Sequence, residues 1–309
     1  MTQPLRVVQI GLGAIGRAAA RLVLEKPHLQ LVGAVDPQLV GEHLADILQV
    51  PHKLDGLVTH KVPAADVAIH CTTSNFTTAA RQISELVRAG MHCVTSCEEA
   101  LLPAFRDAAA AAELDKLCKV HKVAVLGTGV NPGFVMDTLP AVLTSVCQHV
   151  HSIHITRVVD AGSRRPALQK KVGAGLAPAE FDKLMHEGKI RHVGLTDSLM
   201  FLADAIGWDD VDVSETVGPV MGKDGKVAGV RQVARGGNIT LELEMYVGAP
   251  NPRDEIHIEG VPPLHLVIPG GTAGDLATPA MLVNMIPRLV EAPPGLHTMR
   301  TLALPHIET

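Results

Sequence analysis

The segment that most restricts what this chain can fold into is its beginning. An apolar, β-branched run from Leu5 to Ile10 meets Gly11-Leu12-Gly13-Ala14-Ile15-Gly16 with no spacer, and a helix-forming stretch from Ile15 to Lys26 follows until Pro27 stops it. Each glycine has its own task in such a turn: Gly11 reverses the chain, Gly13 lets a ligand approach the backbone, and Gly16 lets helix and strand pack closely. The helix N terminus, with Ala14 and Ile15 in its first turn, offers unpaired N–H groups to a phosphate. A glycine pattern this short is weak alone, so its context decides. A second buried strand, Leu29 to Val35, ends on Asp36, about 20 residues past the last glycine, which is the spacing of a dinucleotide-binding strand-turn-helix-strand unit. Asp36 can accept hydrogen bonds from both ribose hydroxyls of an adenosine and repels a 2′-phosphate, which favours NAD(H). Arg17, beside the turn, keeps NADP(H) open as well.

Further short apolar runs at Val67 to His70, His92 to Thr95 and Ala124 to Leu126 alternate with helical patterns at Thr77 to Ala89 and Glu98 to Lys119. This alternation predicts a doubly wound parallel sheet of the Rossmann type over residues 1–140. The alanine run Ala108 to Ala112 keeps helical spacing with Phe105, Leu114 and Leu117 and belongs to a packed helix. After Pro140 the texture changes. Strand-like segments at Val150 to Val159, Val211 to Val217, Gly229 to Val247 and Ile256 to Ile258, with helices at Pro178 to Glu187 and Thr196 to Ile206, predict an α+β domain with a mostly antiparallel sheet over 141–272. A late amphipathic helix, Asp275 to Leu289, is expected to bring residues 273–309 back onto the first domain.

A chain of 309 residues with 47% hydrophobic content supports about two domains. Its formal charge of -5, with 19% charged residues, offers no basic surplus for nucleic acid or anionic lipid. No run reaches the roughly 18 apolar residues of a membrane span, and Met1 to Arg6 leads straight into a strand, so a cytoplasmic protein is expected. Five cysteines without CxxC spacing predict reduced thiols rather than a disulfide framework or zinc ribbon. His149, His151 and His154 do not share one strand face, and no metal site is expected.

Ligands of an open parallel sheet gather beyond the carboxyl ends of its strands. Three loops leave those ends. Cys71-Thr72-Thr73-Ser74-Asn75 suits a nicotinamide ribose through Thr72, Thr73 and Ser74, or equally a plain helix cap. Ser96-Cys97-Glu98-Glu99 carries two carboxylates, which either complement a helix dipole or handle protons while hydride moves. Glu98, first after the strand, is the candidate acid–base group, with Glu99 the alternative. Gly127-Thr128-Gly129-Val130-Asn131-Pro132-Gly133 has too many glycines for a plain connection, and Asn131, Pro132 and Phe134 are candidate pocket residues; Asp137, in a helical pattern, reads as structural. In the second domain Arg164-Arg165-Pro166 and Gln169-Lys170-Lys171-Val172-Gly173-Ala174-Gly175 form a basic, glycine-containing segment. Arg164 and Lys171 there are candidate contacts to a ligand, a solvated loop being the other reading.

These segments, with Gly274-Asp275-Leu276-Ala277-Thr278 and Pro294-Gly295-Leu296-His297-Thr298-Met299, resemble the dihydrodipicolinate reductase-like group that contains 2,4-diaminopentanoate dehydrogenase and the native amine dehydrogenases. The resemblance implies NAD(P)-dependent oxidative deamination of an amine or amino acid, and in reverse the reductive amination of a ketone or aldehyde with ammonia. It also implies that a glutamate of the Cys-Glu-Glu turn holds the amine nitrogen, a role that falls on Glu98 or Glu99. A cleft between the domains would exclude water from the iminium. By analogy of fold, a homodimer is expected through the second-domain sheet. Two other readings stand beside this one. A reductase of the homoserine dehydrogenase or dihydrodipicolinate reductase type is the first; the former group has lysines where this chain has Glu98 and Glu99, and the latter a doubled histidine, a lysine and a Pro-Ser-Gly-Thr run not found here. A non-catalytic NAD(H) sensor is the second. Aromatic residues are only 2% of the chain, with a single Trp208 and a single Tyr246, so a wide or aliphatic pocket is expected.

Overall fold

A computed structural model describes residues 3–50, 56–163, 166–304 and 306–307. β1 (Leu5–Ile10) runs through the glycine turn into α1 (Ala14–Leu24), and β2 (Leu29–Val35) returns beside it. There follow α2 (Leu44–Leu48), β3 (Val67–His70), α3 (Phe76–Arg88) and β4 (His92–Thr95). The single helix expected over Glu98 to Lys119 is instead three pieces: a 3-10 turn at Glu98–Ala100, α4 (Pro103–Arg106) and α5 (Ala108–His121). Two residues cause the breaks. Pro103 has no N–H to continue a helix, and Asp107 turns extended to cap α5, accepting from Ala110 N at 3.0 Å. β5 (Ala124–Gly127) follows.

The second half of the chain contributes α6 (Thr138–Leu143), β6 (His149–Asp160), α7 (Pro166–Lys171), α8 (Pro178–His186) and α9 (Leu195–Ile206). Next come β7 (Val213–Met221), β8 (Val227–Gly236), β9 (Ile239–Tyr246), β10 (Arg253–Val261) and β11 (Leu264–Pro269). The long strand expected over Gly229 to Val247 is thus a hairpin, turned at Gly237, whose φ of +53° suits glycine. The late helix is likewise two, α10 (Gly274–Asn284) and α11 (Ile286–Val290), and the short β12 (Gly295–His297) ends the fold.

Two compact units result: Met1–Gly133 with Ala273–Thr309, and Phe134–Thr272. In the first, six strands lie in the order β12-β5-β4-β3-β1-β2, all parallel. Val7, Val8, Val67, Ala68, Ile69, Val94 and Val125 are buried on both faces of this sheet, as a parallel sheet covered by helices requires. The register pairs Ile10 with Val35 and His70, His70 with Thr95, and Thr95 with Gly127. The strands therefore end level, and the loops that leave them share one edge. In the second unit the order is β11-β10-β6-β9-β8-β7, antiparallel except for the β6–β9 pair. Ile153, Ile155, Leu241, Leu243, Ile256 and Ile258 fill one face of that sheet, against which α9 lies. The opposite face carries His154, Glu242, Arg231, Glu255 and His265, with Arg231 ion-paired to Glu242 and His265 Nε2 2.8 Å from Glu255 Oε1.

Candidate active site

The turn after β1 has the geometry of a phosphate cradle. Gly11 takes φ +86°, and a Cβ there would lie 2.5 Å from the Cys71 carbonyl oxygen; at Gly16 a Cβ would lie 2.0 Å from the Gly11 oxygen. Gly13 differs, because a Cβ on it would meet nothing within 4 Å. Gly13 is the N-cap of α1 and gives no side-chain cap, the first turn holds no acidic residue, and Gly13 and Ala14 are exposed while Ile15 is half-buried. Unpaired N–H groups at a positive helix end beside open space fit a pyrophosphate. Asp36 is drawn onto the same turn: its Oδ2 accepts from Leu12 N at 2.8 Å and its Oδ1 from Gln38 N at 2.9 Å. Each oxygen keeps a second lone pair for a ribose hydroxyl. Arg17 Nε donates to the Leu12 oxygen at 2.7 Å, on the next peptide of the turn.

The loops after β3 and β4 are tied together, and the tie separates the two glutamates. Asn75 caps α3, accepting from Thr78 N at 3.0 Å. Glu99 Oε2 accepts from Asn75 Nδ2 at 3.0 Å and from Phe76 N at 2.8 Å, while Glu99 N donates to the Ser74 oxygen at 3.3 Å. Its carboxylate thus caps a helix. Among the described residues no hydrogen bond or ion pair reaches the carboxylate of half-buried Glu98. Thr73 Oγ1 accepts from Asn75 N at 3.2 Å, and a Cβ on Gly11 would come 3.1 Å from Thr72 Cγ2, so Thr72 packs on the glycine turn. The cysteines here are not nucleophiles. Burial, with the negative charge of Glu98 next, pushes the Cys97 thiol up to about 12, and burial likewise raises Cys71 against hydrogen bonds from Ser96 and Gln9.

Beyond β5 the glycines are there for room. A Cβ on Gly127 would lie 2.1 Å from the Ala100 oxygen, and one on Gly133, at φ +128°, 2.2 Å from Gly129 N. The loop is held by Val130 N donating to Thr278 Oγ1 at 3.3 Å and by Thr128 Oγ1 donating to Met299 Sδ at 3.1 Å. Asn131 is the exception: its Oδ1 and Nδ2 are both buried with no partner among the described residues. A buried amide left without partners is costly, and a ligand that both donates and accepts relieves it. Pro132 is buried beside it; Phe134, half-buried, and Lys171, exposed, belong to the second unit, and Arg164 lies outside the described residues. Asp137, fully buried, caps α6 and accepts from Ser198 Oγ at 2.7 Å.

A group that sequence reasoning did not single out sits beneath these loops. His70, last residue of β3 and wholly buried, meets Thr95 through Nδ1 and Gln82 through Nε2. The available signal was a polar residue at the end of two adjacent buried strands, His70 and Thr95, which pair in register.

Residues 134–308 match the 2,4-diaminopentanoate dehydrogenase C-terminal domain. Over 98% of its length the chain is 33% identical to 2,4-diaminopentanoate dehydrogenase of Acetoanaerobium sticklandii, 94% of which is covered. The chain belongs to the 2,4-diaminopentanoate dehydrogenase family. It is accordingly an NAD(P)-dependent oxidoreductase of the amine dehydrogenase group. The amine dehydrogenase from Mycobacterium smegmatis superposes with a TM-score of 0.84 at 25% identity, over 98% of this chain and 97% of that one. Dipicolinate-bound dihydrodipicolinate reductase from Paenisporosarcina sp. TG-14 shares the fold, with a TM-score of 0.55 at 13% identity over 96% of this chain and 98% of that one. Within this family the glycine turn, Asp36 and the Glu98 turn of the present chain stand on one sheet edge.

Proposed function

We propose that the chain interconverts a small amine or amino acid with its ketone or aldehyde and ammonia, with Glu98 as the acid–base group. The observation that carries this reading is the Glu98 carboxylate, unpaired among the described residues, in the turn after β4, on the edge where β1 delivers the glycine turn, while its neighbour Glu99 is occupied as a helix cap. Gly11, Gly13 and Gly16, with the N–H groups of Ala14 and Ile15, hold the pyrophosphate, Asp36 the adenosine ribose, and Thr72, Thr73 and Ser74 the nicotinamide side. Bound NAD(H) supplies the hydride acceptor or donor. Glu98 holds the amine nitrogen, takes its proton during deamination, and in the reverse direction returns a proton to the hydroxyl of the carbinolamine as water leaves. Asn131, with Pro132, Phe134, Arg164 and Lys171, is assigned to the substrate, and the scarcity of aromatic residues favours aliphatic chains.

Five free cysteines and the absence, among the described residues, of a helix able to cross a membrane support a cytoplasmic setting. The exposed face of the second sheet, with its alternating His154, Glu242, Arg231 and Glu255, supports a homodimer. The decisive assay follows NADH and NADPH oxidation over a panel of ketones and aldehydes with and without ammonium. Turnover that depends on ammonium supports the reading; equal rates without it make the chain a carbonyl reductase, and binding without turnover makes it a sensor.

A further inference from the structure

His70 touches three segments through its two ring nitrogens. Nδ1 lies 2.9 Å from Thr95 Oγ1, and Nε2 lies 2.7 Å from Gln82 Oε1 and 2.9 Å from Thr72 Oγ1. The partners fix the protons. Gln82 Oε1 is an acceptor, so Nε2 carries the hydrogen; Nδ1 then accepts from the Thr95 hydroxyl, whose oxygen accepts in turn from Cys97 N at 3.1 Å. Thr72 also donates to Gln82 Oε1, so the second arm ends on the loop that packs against the glycine turn. Burial holds His70 below its ordinary value, so the neutral ring that this pattern needs is the one present near pH 7.

We propose that His70 is a positioning residue for the reaction, its Nδ1 arm fixing the Cys97–Glu98 turn through Thr95 and its Nε2 arm fixing Thr72 at the cofactor through Gln82. A plain core residue has no reason to spend both nitrogens on the two loops that flank the proposed site. Buried hydrogen-bond chains of this kind specify one arrangement because every partial break leaves a polar atom unpaired. The inference rests on the reading of Glu98 as the acid–base group.

The two arms can be cut separately. The amide of His70→Gln reaches the Nε2 position and loses Nδ1, whereas that of His70→Asn reaches the Nδ1 position and loses Nε2. His70→Gln is expected to lower kcat about tenfold, the scale of one lost buried hydrogen bond, while the NADH dissociation constant moves less than about twofold. Thr95→Val should repeat that pattern, and Thr95→Ser, which keeps the hydroxyl, should retain the wild-type kcat and NADH dissociation constant. His70→Asn is expected to raise the NADH dissociation constant about tenfold and to lower kcat less than His70→Gln does. Proportional losses in both parameters for both His70 variants, or no change in either, overturn the proposal. Glu98→Gln measured alongside distinguishes the failures: full activity there sinks the reading of Glu98, whereas an inactive Glu98→Gln beside unaffected His70 and Thr95 variants sinks the positioning role alone.

Discussion

A carboxylate that already accepts two hydrogen bonds at a helix N terminus cannot swing to a substrate without leaving both donors unpaired, and Glu99 is in that position toward Asn75 and Phe76. Glu98, one residue earlier, has no such duty. Glu98→Gln is expected to cost about 10²–10⁴ in kcat, the usual contribution of a positioned acid–base group, with NADH binding retained in a fluorescence titration. Glu99→Gln should act on stability instead, lowering the unfolding free energy by about 1 kcal/mol, as for other lost caps, with a far smaller loss of kcat. The opposite pattern would exchange the two roles. Asp36→Ser is expected to weaken NADH more than NADPH in a comparison of dissociation constants, since it removes both a ribose acceptor and a charge that repels a 2′-phosphate. Sequence gave no means of ranking the glutamates beyond their order after the strand, because which of them meets Asn75 depends on where α3 begins relative to the turn after β4.

At the scale of elements, the parallel strands were legible because burial on both faces writes a strand as a short apolar run. Val67–His70 and His92–Thr95 have the bounds that their residues suggest. The breaks were less legible. Asp107 interrupts a pattern rich in alanine, and only its side-chain bond to Ala110 N makes that interruption a new helix start. β12 has three residues and owes its place to β5, not to its own composition. The turn that carries Glu98 lies directly on β5, where Ala100 leaves no space for a side chain at Gly127. Gly127→Ala is therefore expected to lower stability by about 1–3 kcal/mol, as overpacking does, and to reduce kcat by shifting the turn. Unchanged kcat in a folded variant would show that the turn tolerates displacement.

For the molecule as a whole, acid should be the weak side. Burial depresses both His70 and His92 below the ordinary histidine value of 6.5, so below that pH the unfolded chain takes up protons that the folded chain refuses. Stability present above about pH 6.5 is lost as pH falls toward the depressed values. Asp66 and Asp115, both lowered through hydrogen bonds to Arg6 and Lys119 respectively against the opposing effect of burial, extend the loss to lower pH. Urea unfolding midpoints should drop between about pH 8 and about pH 5.5, and His92→Gln should flatten part of the drop. A midpoint that holds or rises on acidification would contradict the neutral state of both rings. The change of texture near Pro140 made the passage from parallel to mostly antiparallel strands legible, but the candidate site was legible only as a set of loops, since contacts such as His70 to Gln82 join residues that no periodicity links.

The second unit is one uninterrupted segment, Phe134–Thr272, whereas the first needs residues from both ends of the chain and is completed only when β12 settles beside β5. On the ribosome the order of completion therefore reverses the order of synthesis. The unit that begins later can finish first, and the parallel sheet keeps an open edge at β5 until Gly295–His297 has been translated.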